Sequence, residues 1–599
     1  MAHNKQFFSV KRPSISTDWS ARDATGYDVV VIGSGYGGAV SAARIAAAEY
    51  PDGKPSVCVL ERGKEWLPGT FPDKVQEAQK ELYNSKKNPL GLYRFKADLD
   101  LGVFHGSGLG GTSLVNANVA YEPEPEVFDD PHWPQAIRDA RDAGELGELF
   151  KKVRKTLATA KHPRAGEISK VQALKFGNPG GQKGKWFANQ LAVNFKPDGP
   201  NKWSVPQRKC LNCGDCITGC NPGAKNTLDT NYLAIAQQQG AHLFPQVTVH
   251  YVAPNSDGGY DVHFTRYTEV KGRKRPVGES GVLHAKRAVV VSGGALGSTE
   301  LILRSRDQGM VFSDQLGERF GGNGDFFGIA YNSDHRTNAL GWGAFPLSKK
   351  AQRMQGGATP PPQDMLNPGP TIVSTIRYNR SEAFEKRVTV QDTSVPKTYV
   401  GLLRTALSSA VELTRIGSDT DAGGDLKELR RRALDFGALG RIDQGALNHS
   451  LMYLVMGADS ASGRLEMSAH EKPERRKIKI KWRGVGKEEV FKLQNELLKA
   501  HATRLGARWI EHPLWDLTPR KTLVTVHPLG GCPMGESASE GVVDERGRVF
   551  DGRGGFHGGL YVTDASILPG PVGANPFLTI CALSDRVANQ VIADLGGTA

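Results

Sequence analysis

The sequence predicts an α/β protein, and three segments carry that prediction. Residues 28–32 (DVVVI) form a short β-branched run of the kind buried on both faces of a parallel sheet. The run enters a glycine turn, Gly33-Ser34-Gly35-Tyr36-Gly37-Gly38, and then residues 39–49, an alanine-rich stretch of high helix propensity. Residues 56–60 (SVCVL) read as a second strand, closed by Glu61.

Strand, glycine turn, helix, strand and acid in that order make the dinucleotide-binding fingerprint of a Rossmann-type sheet. G-x-G-x-x-G alone is weak evidence. Here Gly33, Gly35 and Gly38 have the strand before them, the helix after them, and Glu61 23 residues past Gly38. Gly33 permits the tight turn, Gly35 lets backbone approach a pyrophosphate, and Gly38 lets helix and strand pack closely. The helix N-terminus faces the phosphates, and Glu61 is placed to accept from ribose hydroxyls. This much leaves FAD and NAD both open. Two further glycine-rich segments favour FAD: 106–118 (GSGLGGTSLVNAN), and 288–298 (AVVVSGGALGS), which reads as a third strand running into a helix. A flavin dinucleotide needs close backbone approach along its whole length, and dispersed glycine loops supply it.

Composition fits a folded enzyme. Of 599 residues, 39% are hydrophobic and 23% charged, and the 71 glycines exceed the usual share largely because of these turns. The net charge of +13 reads first as a basic surface that keeps the protein in solution, and is also compatible with contact to an anionic membrane. Nucleic acid is set aside, because no zinc finger, basic heptad run or RNP-like sequence is present. No apolar run approaches the ~18 residues of a membrane span. The stretch 27–32 contains Asp28, and 402–413 is broken by Arg404. Residues 1–26 lack the apolar core of a secretory signal, and four of the seven cysteines crowd into 210–220, unlike a secreted disulfide framework. A cytoplasmic location is expected.

With these segments in view, the chain resembles the glucose–methanol–choline (GMC) flavin oxidoreductases from Tyr27 to the C-terminus. Four signatures carry the resemblance: GSGYGG at 33–38, GLGGTSLVNAN at 108–118, VVVSGGALGS at 289–298, and the tail. The tail reads HPLGGCPMG at 527–535 and LYVTDASILPGPVGANPFLTICALSDR at 560–586. SLVNAN, and GAKNTLDTNYL at 223–233, look most like the cholesterol-oxidase branch. The resemblance implies a discontinuous FAD-binding domain over 24–122, 225–320 and 521–599. It implies an α+β substrate domain over 123–224 and 321–520, around a mainly antiparallel sheet. It also implies a non-covalent FAD touched by Gly33, Gly35, Gly38, Glu61, Gly110, Gly111, Ser113, Asn116, Val249, Gly293, Asp564, Pro576 and Phe577. His527 and Asn575 then form the catalytic pair.

The residues themselves suit those roles. His527 precedes Pro528 and a glycine pair, a loop that presents an imidazole rigidly, and a His can take a hydroxyl proton near neutral pH. Asn575 sits between Gly573-Ala574 and Pro576, and its carboxamide can hydrogen-bond a substrate oxygen or the flavin. Residues 577–591 read as a closing helix whose N-terminus points at the flavin. Residues 477–482 (KIKIKW) alternate like a half-exposed strand and support the antiparallel sheet. Residues 359–369 and 417–425 read as loops, and 426–434 (LKELRRRAL) as a basic helical stretch.

Cys210, Cys213, Cys216 and Cys220 match the bacterial ferredoxin spacing, which raises an iron–sulfur cluster as a further cofactor. In two-cluster ferredoxins the fourth Cys of such a run serves the other cluster, and no second run is present. A three-Cys cluster, or thiols without metal, are the other readings.

These features predict an FAD-dependent oxidation of a bulky apolar alcohol, such as a 3β-hydroxysterol, by hydride transfer to flavin with His527 as base. Electrons then pass to oxygen or an external acceptor. The alternatives are an acceptor-dependent dehydrogenase of long-chain or polycyclic alcohols and, more remotely, a flavin redox sensor or a fatty-acid photodecarboxylase. Cholesterol oxidases also shift the steroid double bond with a carboxylate base. The matching stretch 446–456 (ALNHSLMYLVM) places Leu447 or Asn448 at that position, with His449 expected to point away along a strand and Glu466 well downstream. No isomerisation is therefore expected.

Overall fold

Tyr27–Ile32 is the hub of the first sheet. It runs parallel to Val57–Leu60 on one side and to the long strand Val277–Val291 on the other. His242–Phe244 extends the sheet beyond Val57–Leu60, again parallel. Val29, Val30 and Val31 are fully buried, as a β-branched run between two covered faces should be. The computed structural model describes residues 9–598 apart from 180–183, 271, 274, 342–365, 405–424, 437–443, 473–475, 513, 516 and 517.

Val277–Val291 serves two neighbours. Its first part pairs antiparallel with Tyr260–Thr268, which pairs in turn with Val247–Pro254. Its last residues, Val289 to Val291, run parallel to Leu560, Tyr561 and Val562. The C-terminal tail is thus joined to the sheet that the N-terminal region begins. The glycine turns at Gly33 and Gly293 and the Asp564 turn follow the C-terminal ends of adjacent parallel strands, where open α/β sheets bind ligands. The helices Tyr36–Ala47 and Gly294–Asp307 start from that edge.

The second sheet has six strands, in the order Arg508–Glu511, Phe326–Tyr331, Leu451–Met456, Val388–Thr393, Ser374–Tyr378, Gly184–Ala188. Every pairing is antiparallel. The helices Glu489–Arg504 and Ser169–Gly177 pack against it. The KIKIKW stretch is not one of its strands. Among the described residues Ile478–Lys481 pairs only with Arg464–Met467, in a separate two-stranded ribbon. The alternation is real, with Ile478, Ile480 and Trp482 buried in the main hydrophobic core, and it is the partner strand Arg464–Met467 that packs on the helix Gly294–Asp307. A small third sheet pairs Leu523–Thr525 with Leu101–Gly106, and His527 emerges just beyond its end.

The basic stretch forms the helix Asp425–Phe436. Of the two expected loops, 359–365 and 417–424 lie outside the described residues. Among the described residues no helix is long and apolar enough to cross a membrane.

Candidate active site

A cavity of about 1800 Å³ is walled by both sheets. A typical small-molecule site is ~300–1,000 Å³, so the space admits a large cofactor together with a substrate. Its floor is the first glycine turn. Gly33 has φ +99°, and a Cβ there would meet the Ser292 carbonyl at 2.2 Å. A Cβ on Gly38 would lie 2.0 Å from the Gly33 carbonyl, so helix and strand touch through it. Gly35 differs: a Cβ there would meet nothing within 4 Å, because it faces the cavity.

Glu61 lines the cavity with its carboxylate fixed by the Ser34 N–H (3.1 Å), the Ser34 hydroxyl (2.7 Å) and the Gly63 N–H (2.8 Å). Gly111 packs on Gly35, and Val249 and Gly293 contribute to the wall. Asp564 accepts from the Gly294 N–H at 2.8 Å and the Ser566 N–H at 2.7 Å, and burial pushes its carboxyl up. Asn116 donates from Nδ2 to the Tyr36 hydroxyl at 2.6 Å. The Tyr36 ring stacks on Phe577 with centroids 4.8 Å apart, at the start of the helix Phe577–Asp594 and next to Pro576.

Three residues expected as cofactor contacts stand one layer back. Gly38 is consumed by helix–strand packing, as above. The Gly110 N–H donates to the Ser34 hydroxyl at 3.0 Å. Ser113 Oγ donates to the Gly110 carbonyl at 2.6 Å and accepts from the Leu228 N–H at 3.2 Å. These residues shape the turns that line the cavity without lining it themselves.

The wall fits a dinucleotide. Gly35, Gly294 and Gly297 all line it, and a Cβ on any of them would meet no protein atom within 4 Å. Asn118, held at φ 67°, is 1% exposed and lines the cavity with both amide atoms unpartnered. Buried polar groups are normally paired, so this carboxamide is suited to a ligand's hydrogen bonds.

At the other end His527 enters the cavity. Its Nδ1 lies 2.8 Å from Asp325 Oδ1, and Asp325 is fully buried. The other Asp325 oxygen accepts from the Thr525 hydroxyl (2.8 Å) and the N–H groups of Val526 (2.8 Å) and His527 (3.1 Å). A carboxylate accepts only, so Nδ1 carries a proton, and in the neutral imidazole Nε2 then has the lone pair. Asn575 is paired amide to amide with the buried Gln391: Gln391 Nε2 donates to Asn575 Oδ1 at 2.7 Å, and Asn575 Nδ2 returns a longer bond of 3.3 Å. One Asn575 amide hydrogen stays uncommitted. The loop before Asn575 is clamped by Asn323, which accepts from the N–H groups of Val572 (2.9 Å) and Gly573 (3.0 Å) and donates to the Ala574 carbonyl (2.8 Å). Beside His527 the wall is apolar, built from Ala117, Val119, Phe327, Ile372, Met452, Leu454 and Val526.

Asp325, Gln391 and Asn323 were not evident in the sequence. Asn323 and Asp325 belong to Gly321-Gly322-Asn323-Gly324-Asp325, a glycine-rich turn before a strand that resembles the other site turns. Gln391 lies inside a strand and carries no local signal.

The stretch 446–456 is also arranged differently from the expectation. Ala446–His449 is a 3₁₀ turn rather than strand, so alternation does not set the direction of His449, whose Nδ1 sits 3.0 Å from the Ser333 carbonyl. Leu447 and Asn448 are buried off the cavity, and Met452 and Leu454 face it instead. Glu466 lies on the two-stranded ribbon, 3.4 Å from Lys481.

Cys210, Cys213, Cys216 and Cys220 are free thiols around one small void. Among the described residues no three His, Cys, Asp or Glu are placed to hold a single metal ion.

Residues 27–310 match the N-terminal model of the GMC oxidoreductase family, and residues 460–584 match its C-terminal model. A cholesterol oxidase of Mycobacterium tuberculosis is 27% identical over 595 residues, covering 94% of this chain and 90% of the relative. A long-chain-alcohol oxidase of Arabidopsis thaliana is 23% identical over 599 residues, covering 95% of this chain and 67% of the relative. The formate oxidase of Aspergillus oryzae shares the fold, with a TM-score of 0.57 at 12% identity over 96% of this chain and 99% of that one.

Proposed function

Because the chain belongs to the GMC oxidoreductase family, we propose that it oxidises the CH–OH group of a bulky apolar alcohol, with non-covalent FAD as cofactor and His527 as base. FAD, when bound, supplies the hydride acceptor. Gly33, Gly35, Glu61, Gly111, Asn116, Val249, Gly293, Asp564, Pro576 and Phe577 would hold it, all of them lining the cavity. The helix N-termini at Tyr36 and Gly294 favour its phosphates, and the helix beginning at Phe577 favours negative charge at the opposite end.

The observation that carries the reading is the 2.8 Å contact between His527 Nδ1 and Asp325 Oδ1. With Asp325 accepting the Nδ1 proton, Nε2 of the neutral ring would be the basic atom of this cavity-lining side chain. A hydroxyl placed there can give its proton to Nε2 as the carbinol C–H bond breaks. The spare Asn575 N–H would steady the alcohol oxygen while it carries negative charge. The apolar wall excludes water and accommodates a large hydrocarbon body, which suits a sterol or a long chain better than a small polar alcohol. Both classes occur in the names of the relatives, and the long-chain alcohol is retained as the second substrate reading.

The test is product analysis. The holoenzyme is incubated with sterols, long-chain primary alcohols and short alcohols, and carbonyl products are measured. Preference for a bulky or long apolar alcohol supports the proposal. Equal or better turnover of a short polar alcohol counts against it.

A further inference from the structure

Gln391 stands one layer behind the cavity, in the middle of the second sheet, and is fully buried. Burying a carboxamide is costly unless its hydrogen bonds are made. Its strand, Val388–Thr393, lies between Ser374–Tyr378 and Leu451–Met456. Thr389 and Gln391, two residues apart, share one face of that strand. Both reach the loop that carries Asn575. Thr389 Oγ1 donates to the Gly573 carbonyl at 2.6 Å, and Gln391 Nε2 donates to Asn575 Oδ1 at 2.7 Å. The neighbouring strand backs both. Arg377 lies opposite Thr389 and donates to its hydroxyl at 2.8 Å, and Thr375 lies opposite Gln391.

Thr375 decides which way the Gln391 amide is turned. A hydroxyl has one hydrogen, and Thr375 gives its own to Asn189 Oδ1 at 2.7 Å. Its oxygen therefore accepts, and the Gln391 atom 3.1 Å away is Nε2. Both Nε2 hydrogens are then spent, one on Thr375 and one on Asn575. Turning the Gln391 amide over would set its oxygen against the Asn575 oxygen. Asn575 is thereby held with Oδ1 towards Gln391, and its Nδ2 keeps one hydrogen that the 3.3 Å bond to Gln391 Oε1 does not use. Asn189, Thr375, Gln391 and Asn575 are all buried.

The other face of the strand holds this register. Asp392 accepts from the Lys170 ammonium at 2.9 Å, the Ser374 N–H at 2.6 Å and the Ser374 hydroxyl at 2.7 Å, and both charges are fully buried. A slip of one residue would exchange the faces of Gln391 and Asp392 and break the ion pair. Losing one partner of a buried pair is strongly destabilising.

We infer that Gln391 is a positioning residue for alcohol oxidation: it selects the orientation of the Asn575 amide that presents an N–H, and not the carbonyl oxygen, to the oxygen of the reacting alcohol. Its use rests on the alcohol-oxidation reading. While the O–H proton passes to His527 Nε2, negative charge grows on that oxygen. An N–H beside it lowers the barrier, and an amide oxygen in the same place raises it.

Two measurements test this. Neutron diffraction from the perdeuterated holoenzyme locates the amide deuterons. They are expected on the Gln391 atom that faces Asn575 and on the cavity side of the Asn575 amide. Either amide turned over overturns the inference, whatever the substrate. The second measurement uses Gln391→Glu, which keeps the size of the side chain. Its carboxylate accepts only, so Asn575 must turn Nδ2 towards it. With an alcohol that the wild type oxidises, kcat should fall by about 10²–10³, the range for losing one oxyanion donor, with KM little changed. Once protonated, the same carboxyl can again donate to Asn575 Oδ1. The ratio of variant to wild-type kcat should therefore rise as the pH falls through the titration of the introduced carboxyl. The charged side chains nearby are already paired, Arg377 with Glu124 at 2.8 Å and Lys170 with Asp392 at 2.9 Å, and the ratio cancels the titration of His527. A kcat equal to that of the wild type, a loss that stays constant with pH, or a change in KM alone overturns the inference. If the variant does not fold or bind FAD, the neutron result decides alone. If no alcohol reduces the wild-type flavin, the alcohol reading fails while the neutron result still decides the orientation, so the two failures are distinct.

Discussion

His527 Nδ1 and Asp325 Oδ1 lie 2.8 Å apart although 202 residues separate them in the chain. The contact joins the turn before the second sheet's strand Phe326–Tyr331 to the loop after Leu523–Thr525. It places the Nδ1 proton of a neutral imidazole against a carboxylate, which leaves Nε2 as the nitrogen to which the proposed reaction gives the base role.

His527→Ala removes the proposed base. Turnover should fall by ~10²–10⁴, the usual range for losing one, with flavin content unchanged. A kcat near that of the wild type would show that His527 does not act in this way.

Asp325→Asn keeps the size of the side chain but can turn an amide N–H towards Nδ1, favouring the other tautomer. In a catalytic triad the same change costs about 10⁴ in kcat, and a loss of about 10²–10⁴ in kcat with little change in KM is expected here. Such a split marks an interaction made in the transition state. A rise in KM alone would point to a structural role.

Much of the site was legible in the sequence because its parts are local. The turn at Gly33–Gly38, the Gly293 turn and the His527 and Asp564 loops each announce themselves within a dozen residues, since close backbone approach demands glycine. What was hidden depends on register between distant strands. Gln391 reaches Asn575 across 184 residues. Asp325 is an ordinary acid until folding sets it beside His527. Alternation identified Ile478–Lys481 as a strand but could not say which strand it pairs with, because a period of two sets faces and leaves partners open. A short buried turn such as Ala446–His449 interrupts a strand pattern without a break in composition, since its Ala446 and Leu447 are as apolar as the strand that follows.

Asp459 supports the Asp325 turn by accepting from the N–H groups of Gly322 (2.9 Å) and Gly324 (2.7 Å). Burial pushes its pKa from an ordinary 3.8 up to about 7. The folded state thus binds this proton more tightly than the unfolded chain. The resulting stability is complete below about pH 3.8 and is lost as the pH rises to about 7. Asp459→Asn has no such titration. The stability of the wild type relative to the variant should therefore decline over that window, by an amount on the order of a few kcal/mol, and stay level above it. Denaturant unfolding of both proteins across the window checks this, and a constant difference would contradict it.

The FAD should be held without a covalent bond. Acid precipitation is expected to release it into the supernatant, and a yellow pellet would show that a bond exists.

If a sterol is a substrate, the unconjugated ketone should accumulate. The second-sheet residues that face the cavity, Phe327, Thr393, Met452 and Leu454, include no carboxylate. The lining acids Glu61, Glu300, Asp307 and Asp564 belong to the dinucleotide-binding elements. The conjugated isomer has a strong ultraviolet band that the unconjugated ketone lacks. Appearance of that band at the rate of alcohol oxidation would reveal a base elsewhere.

The most direct test of the central claim, that His527 delivers an apolar alcohol to oxidation on bound FAD, is anaerobic mixing of the holoenzyme with a panel of sterols and long-chain alcohols while the flavin absorbance is followed. The account predicts that at least one of them bleaches the flavin in the wild type, that the matching methyl ether does not, and that bleaching is slowed by ~10²–10⁴ in His527→Ala. Failure of every alcohol to reduce the wild-type flavin, or equally fast bleaching in the variant, would contradict it.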